Sequence, residues 1–282
     1  MNQKNRVFYQ IIKIIIVMLL LVTLSLSFTG CSKESKIEKL IEDLKSKDAQ
    51  VQNKAAEELA KIGEAAVEAL ISVLKDKEES VRMYAEKALN KIGEPAVEGL
   101  IKALKDENTD IRLISSRILS EIEDERITEP LINALRDKET DVRMYAERGL
   151  KKIGKPAIEP LILALTDENV NVRISVSRIL SEVEDTHIIN SLINAMKDEN
   201  EKVRMYAQRG LFNLGESAID PLIFALTDEN VNVRLGAVQI LSVTEDPRLI
   251  EPLTAALKDK DPNVRMYAER GLKNMGVTIV KP

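Results

Sequence analysis

The chain has no tryptophan, one cysteine and one histidine, and only 3% of its 282 residues are aromatic. A single cysteine excludes an intramolecular disulfide. The lone histidine, His187, has no companion at His/Cys metal-ligand spacing, and neither a Gly-rich phosphate loop nor a Ser-His-Asp pattern occurs. Carboxylates are plentiful, but they recur at fixed intervals, as helix caps and solvated faces do, rather than as an isolated acid/base pair. No enzyme, no cofactor and no metal site is expected. Positive charge is also short: 41 basic residues stand against 46 acidic ones. A general nucleic-acid binder needs a basic surface to release counterions from phosphates, so no nucleic acid is expected as partner.

Acidic residues are missing altogether from positions 1–30, which carry Lys4, Arg6 and Lys13, then an apolar run from Ile14 to Phe28, then Thr29, Gly30 and Cys31. A basic start, a short apolar core and small residues before a cut site describe a secretory signal peptide. The run falls short of the ~20 residues that span a bilayer as a helix. The FTGC sequence resembles the lipobox of prokaryotic lipoproteins. That resemblance implies lipidation at Cys31, an exported chain and a lipid anchor on the outer side of the cytoplasmic membrane, although Phe28 stands where leucine is usual. An uncleaved anchor is the alternative. Loss of residues 1–30 leaves 38 basic against 46 acidic residues. Residues 31–36 are expected as the lipidated terminus and a short polar link, whose five residues 32–36 reach ~17 Å at most. Residues 37–276 are expected as one repeat domain, and 277–282 as a tail.

What the chain has in abundance is repetition. VRMYAERGLKKIG begins at Val142, with close copies at Val81, Val203 and Val264, spaced by 61 residues. A second type lies between them, beginning at Ile111, Val172 and Val233, and a weaker first copy begins at Val51. The chain is therefore an array of about eight units of 30 or 31 residues, in alternating types. A period of this size marks a solenoid, in which each unit buries its apolar face only against its neighbours. Leu, Ile, Val and Ala fill such narrow layers, which explains the shortage of aromatics.

Each unit reads as two helices. In the first, Ile158, Leu161, Ile162 and Leu165 recur at helical spacing. In the second, counted from Val142 as zero, the apolar positions 0, 4, 7, 8 and 11 (Val142, Ala146, Gly149, Leu150, Ile153) fall on one stripe. Three residues before the signature stand Asp48, Asn108, Asn169, Asn200, Asn230 and Asp261, all N-cap types. Pro262 follows at a favoured first helical position. Twelve residues after the signature Val stand Gly63, Gly93, Gly154, Gly215 and Gly276, suited to a left-handed C-cap. The second type has Glu-Asp there, with one extra residue.

This pattern resembles HEAT repeats of the short, phycobilin-lyase-like kind, from Ile37 to Gly276. The resemblance implies an all-α, right-handed α-solenoid with the signature helices on a concave wall. It also implies a structural ladder between units. One row would be Asp76, Asp106, Asp137, Asp167, Asp198, Asp228 and Asp259, and the other Arg82, Arg112, Arg143, Arg173, Arg204, Arg234 and Arg265. The first unit has Ser46 and Gln52 instead, as though the ladder ended there. Phycobilin attachment is the activity that gives the family its name, and a lyase is one alternative function; a surface spacer without a ligand is another.

Two further rows lie off the apolar stripe. Position 2 is Met83, Leu113, Met144, Ile174, Met205, Leu235 and Met266, and position 6 is Lys87, Arg117, Arg148, Arg178, Arg209, Gln239 and Arg270. At 100° per residue the rows are adjacent. An apolar row beside a cationic one suits a protein or peptide partner with acidic and apolar faces. Met144, Arg148, Ile174, Arg178, Met205 and Arg209 are the expected centre of contact. Tyr84, Tyr145, Tyr206 and Tyr267 sit at the edge of the core.

Overall fold

The computed structural model describes residues 33–278. Cys31 and the signal-like segment lie outside the described residues. Residues 33–36, expected as a polar link, are already helical and continue into the first helix. Helices are the regular secondary structure of the described residues, and the fold class is an all-α solenoid of stacked helix pairs.

The chain divides into two compact units, 1–118 and 119–282. Three helix pairs make up the described part of the first: α1 (33–44) with α2 (Ala49–Ile62), α3 (Val67–Ser72) with α4 (Glu79–Ile92), and α5 (Val97–Ala103) with α6 (Thr109–Leu119). Five make up the second: α7 (Thr128–Ala134) with α8 (Thr140–Ile153), α9 (Ile158–Ala164) with α10 (Val170–Leu180), α11 (Ile189–Ala195) with α12 (Glu201–Asn213), α13 (Ile219–Ala225) with α14 (Val231–Leu241), and α15 (Ile250–Ala256) with α16 (Pro262–Asn274). In this second unit the signature helices α8, α10, α12, α14 and α16 pack side by side in one layer. The shorter first helices form the other layer, α7 against α9 and α11 against α13. Between the layers Val142, Ala146, Leu150, Val172, Leu180, Val203, Ala207 and Leu211 are fully buried. Removing a leucine side chain from such a layer costs about 2–5 kcal/mol.

The boundaries follow from the local sequence. Asn200 accepts the amide of Lys202 at 2.9 Å, and Asp261 accepts that of Asn263 at 2.8 Å, which satisfies a helical donor without a partner of its own. Pro160, Pro221 and Pro252 fall in the first turn of their short helices, where a missing N–H costs nothing. The glycine stops differ in detail from a left-handed helical cap. Gly154 has φ 71° and ψ −129°, and Gly93 has φ 69° and ψ −131°. That conformation belongs almost solely to glycine and turns the chain directly into the next 3-10 turn. At the other joint type an aspartate does the work. Asp124, Asp185 and Asp246 accept the amides of Arg126, His187 and Arg248 at 2.8–2.9 Å. His187 is exposed, with its ring nitrogen 2.7 Å from Asp185.

The Asp and Arg rows are chiefly a clamp within each repeat. The arginine donates to the carbonyl of its own row aspartate: Arg82 to Asp76 at 2.7 Å, Arg143 to Asp137 at 2.6 Å, Arg204 to Asp198 at 2.8 Å and Arg265 to Asp259 at 2.7 Å. Arg112 binds Asp106, Arg173 binds Asp167 and Arg234 binds Asp228 in the same way. The aspartate carboxylate meanwhile accepts the amide two residues on, as Asp167 does from Asn169 at 2.8 Å. The first repeat keeps part of this clamp, contrary to expectation. Buried Gln52 donates to Leu44 O at 2.8 Å, and Ser46 Oγ accepts the Asp48 amide at 3.1 Å. Only the Ser46 bond matches the other repeats; Gln52 closes the loop on Leu44 rather than on Ser46 and also donates to Ser80 Oγ of the next repeat at 3.0 Å.

Links between repeats are made by two alternating donors. Arg173 reaches Asp198 at 2.7 Å, and Arg234 reaches Asp259 at 2.7 Å. At the intervening joints the cation comes from the loop: Arg136 to Asp167 at 2.6 Å and Lys197 to Asp228 at 3.0 Å. Burial pushes the Asp259 carboxyl up. The Arg234 guanidinium and the Asp261 amide outweigh that and hold it below the usual carboxylate range.

Candidate polypeptide-binding face

The exposed surface of the signature helices carries the position 2 and position 6 rows. On α8, Met144 is 51% exposed and Arg148 is exposed one turn on. On α12, Met205 and Arg209 repeat that arrangement, as do Met266 and Arg270 on α16. On the intervening helices α10 and α14, Ile174 and Leu235 are half-buried, and so are Arg178 and Gln239. The apolar row is therefore a series of raised methionines with lower aliphatic residues between them. In the first unit Met83 is likewise exposed and Leu113 half-buried.

The cationic row is not uniformly available. Arg178 pairs with Glu147 on the preceding signature helix, and Glu147 also accepts from Ser175 Oγ at 2.5 Å. Glu147 and Ser175 are both buried. The Arg178 guanidinium lies 5.9 Å from the centroid of the Tyr206 ring, within cation–π range. Burial lowers the affinity of Arg178 for its proton, and the carboxylate of Glu147 more than restores it. Arg178 thus differs from the open cation expected of it: more than half of its side-chain surface is covered and its charge is matched in place by Glu147. Arg148 is bridged to Glu121 at 2.6 Å, in an exposed pair of the kind worth ~0–1 kcal/mol. In the first unit Arg117 grips Glu86 with two bonds of 2.5–2.7 Å, and Lys87 donates to Asn53 at 2.6 Å. Arg209 and Arg270 make no ion pair among the described residues. They are the free cations of the row in the second unit, each beside an exposed methionine one turn away.

Glu147 is the residue that sequence reasoning passed over, and a signal for it was present. Position 5 of one repeat and position 6 of the next change together: Glu86 with Arg117, Glu147 with Arg178, then Gln208 with Gln239. Correlated neutralisation marks a contact. At the position matching Ser175 the next copy has Gly236, where a Cβ would lie 2.5 Å from Met196 Sδ and 2.9 Å from Gln208 Nε2, so the space beside Gln208 is already filled.

Among the described residues, no group of three or more His, Cys, Asp and Glu is placed to hold a metal ion. No described helix is long and apolar enough to cross a membrane.

The period, the paired helices and the loop clamp agree with the comparison to known families. A family profile described as HEAT repeats matches residues 37–98, 97–161 and 219–280. The chain belongs to the HEAT-repeat family. HEAT-repeat solenoids commonly mediate protein interactions. Among curated proteins no significant match is found. Several solved structures are similar to this HEAT-repeat chain. An engineered protein shares 21% identity, covering 85% of this chain and 78% of its own, with a TM-score of 0.38. Human deoxyhypusine hydroxylase, in complex with glycerol, shares 19%, covering 88% and 98%, with a TM-score of 0.36. YibA of E. coli shares 26%, covering 78% and 88%, with a TM-score of 0.38. These TM-scores carry no inference about activity.

Proposed function

We propose that this HEAT-repeat protein is a polypeptide-binding scaffold, tethered to the outer side of the cytoplasmic membrane through a lipid on Cys31, and that it binds its partner on the signature-helix face. The short spacing of its units is that of the phycobilin-lyase-like subtype, used here for recognition. The supporting observation is the coupling of exposed Met205 and Met266 to the unpaired cations Arg209 and Arg270. Exposed methionines in register adapt to varied apolar side chains. Free guanidiniums beside them favour carboxylates and steer their approach. Helices two repeats apart are separated by roughly 16–20 Å, which an extended peptide crosses in about six residues. The partner is therefore a segment that alternates acidic and apolar residues. Met144, Arg148, Ile174 and Arg178 extend the same face, with their charges already engaged. The strongest contact accordingly moves from the middle of the array toward α12–α16.

Cell fractionation followed by affinity capture tests both parts. Cys31→Ser should shift the chain from the membrane to the soluble fraction. Arg209→Glu with Arg270→Glu should leave the helical content unchanged and abolish capture of the partner, with the lost attraction being the salt-sensitive part. Full capture by the charge-reversed chain would remove the binding face from these helices and leave a spacer as the better reading.

A further inference from the structure

In a chain this repetitive, a departure from the period singles out a position. Position 9 of the α8 repeat is Lys151, which bridges Glu182 at position 10 of the next repeat at 2.8 Å. One full period later the same two positions are Phe212 and Val243. Both members of the ion pair have become apolar, yet neither is buried: Phe212 is 57% and Val243 50% exposed. They flank a groove of about 730 Å³ between the C-terminal ends of α12 and α14, floored by buried Leu211, Leu222 and Leu241. Three carboxylates, Glu216, Glu245 and Asp246, stand on its rim against one guanidinium, Arg248. Arg248 is held by Asp246 at 2.7 Å and lies 3.7 Å from Glu216.

We propose that this groove is a second docking site, distinct from the position 2 and position 6 face, for a peptide segment with an apolar anchor flanked by lysine or arginine. The apolar floor and the exposed Phe212 and Val243 supply the contact for the anchor. The surplus of rim carboxylates selects the flanking charge, opposite in sign to that favoured by Arg209 and Arg270. The two sites thus discriminate between partners by charge.

The absence of tryptophan from the chain provides the readout. The probe is the peptide Lys-Lys-Leu-Trp-Leu-Lys-Lys, whose indole is the sole tryptophan emitter, compared with the peptide carrying glutamate in place of each lysine. Wild type should shift the indole emission of the basic peptide to the blue and leave the acidic one unchanged. Phe212→Lys with Val243→Glu reinstates the ion pair that the chain uses one period earlier and keeps the net charge. It should weaken binding about tenfold or more through loss of apolar contact area. Glu216→Lys with Glu245→Lys leaves the apolar floor intact and should weaken binding and flatten its salt dependence, so the test survives if the first variant fails to fold. Equal affinity of wild type and these variants, equal binding of the acidic peptide, or no binding of the basic peptide would overturn the proposal. So would dimerisation of the chain through Phe212 and Val243, which would make a second copy the occupant.

Discussion

Arg178→Ala is expected to destabilise the protein by about 2–4 kcal/mol, somewhat less than the ~3–5 kcal/mol for removing one partner of a fully buried ion pair. Its partner Glu147 retains only 10% of its side-chain surface in water and would be left as a buried, uncompensated charge. The Arg178 side chain is itself 40% exposed, so water reaches the pair and trims the effect toward the lower end. The double variant Glu147→Gln/Arg178→Gln should cost far less than Arg178→Ala, because the chain already uses Gln208 and Gln239 at these positions one period later. Urea denaturation of the single and double variants measures the coupling directly. If the effects of the two single changes simply add, the Glu147–Arg178 pair is not a structural unit.

Gly210→Ala is expected to destabilise by about 1–3 kcal/mol, the usual range for overpacking. In an ordinary helix the same change would stabilise by roughly 0.5–1 kcal/mol. The sign reverses because α12 crosses α10 with almost no clearance. A Cβ at Gly210 would lie 3.0 Å from Ser181 Cα and 2.8 Å from Leu192 Cδ1. Backbone cannot move aside as the tip of a flexible side chain can. Gly149 and Gly271 meet Ser120 and Ser242 in the same way, at 3.2 and 2.9 Å. Thermal melts of Gly210→Ala against wild type check the direction, and an unchanged or raised midpoint would show that the two helices can separate at no cost.

Much of the architecture was legible because the period writes the same instruction repeatedly. Val142, Ala146 and Leu150 fall on a stripe that any helix of this register must bury, and Asn200 or Gly154 marks an end by local bonding alone. Interactions within a repeat were less legible, and interactions between repeats least. The Asp and Arg rows looked like a ladder from one unit to the next, yet their commonest bonds close a loop within the repeat. The true cross-links alternate between the signature arginine and a loop cation, and Arg136 and Lys197 belong to a row just before the aspartate, with Lys75, Lys105 and Lys258, that sequence reasoning did not single out. The cationic row was misleading for a related reason. Position 6 names a helix face, whereas availability depends on what the preceding repeat sends across the gap, from position 5 for Arg178 and from position 10, Glu121, for Arg148. Glu147 consumes the charge of Arg178, and Gln208 offers no charge of its own. Phe212 and Val243 are visible in the sequence as departures, but that they share one groove follows only from packing.

The most direct test of a binding face on the signature helices is site-specific photo-crosslinking in intact cells. A photoreactive residue is placed at Met205 or Met266 and, for comparison, at Leu163 or Phe224, which are strongly exposed on the first helices α9 and α13. Crosslinks to one discrete polypeptide from Met205 and Met266, lost when Arg209 and Arg270 are changed to glutamate, are expected. Crosslinks arising from Leu163 or Phe224 alone, and unaffected by that charge reversal, would contradict a partner seated on the signature-helix face.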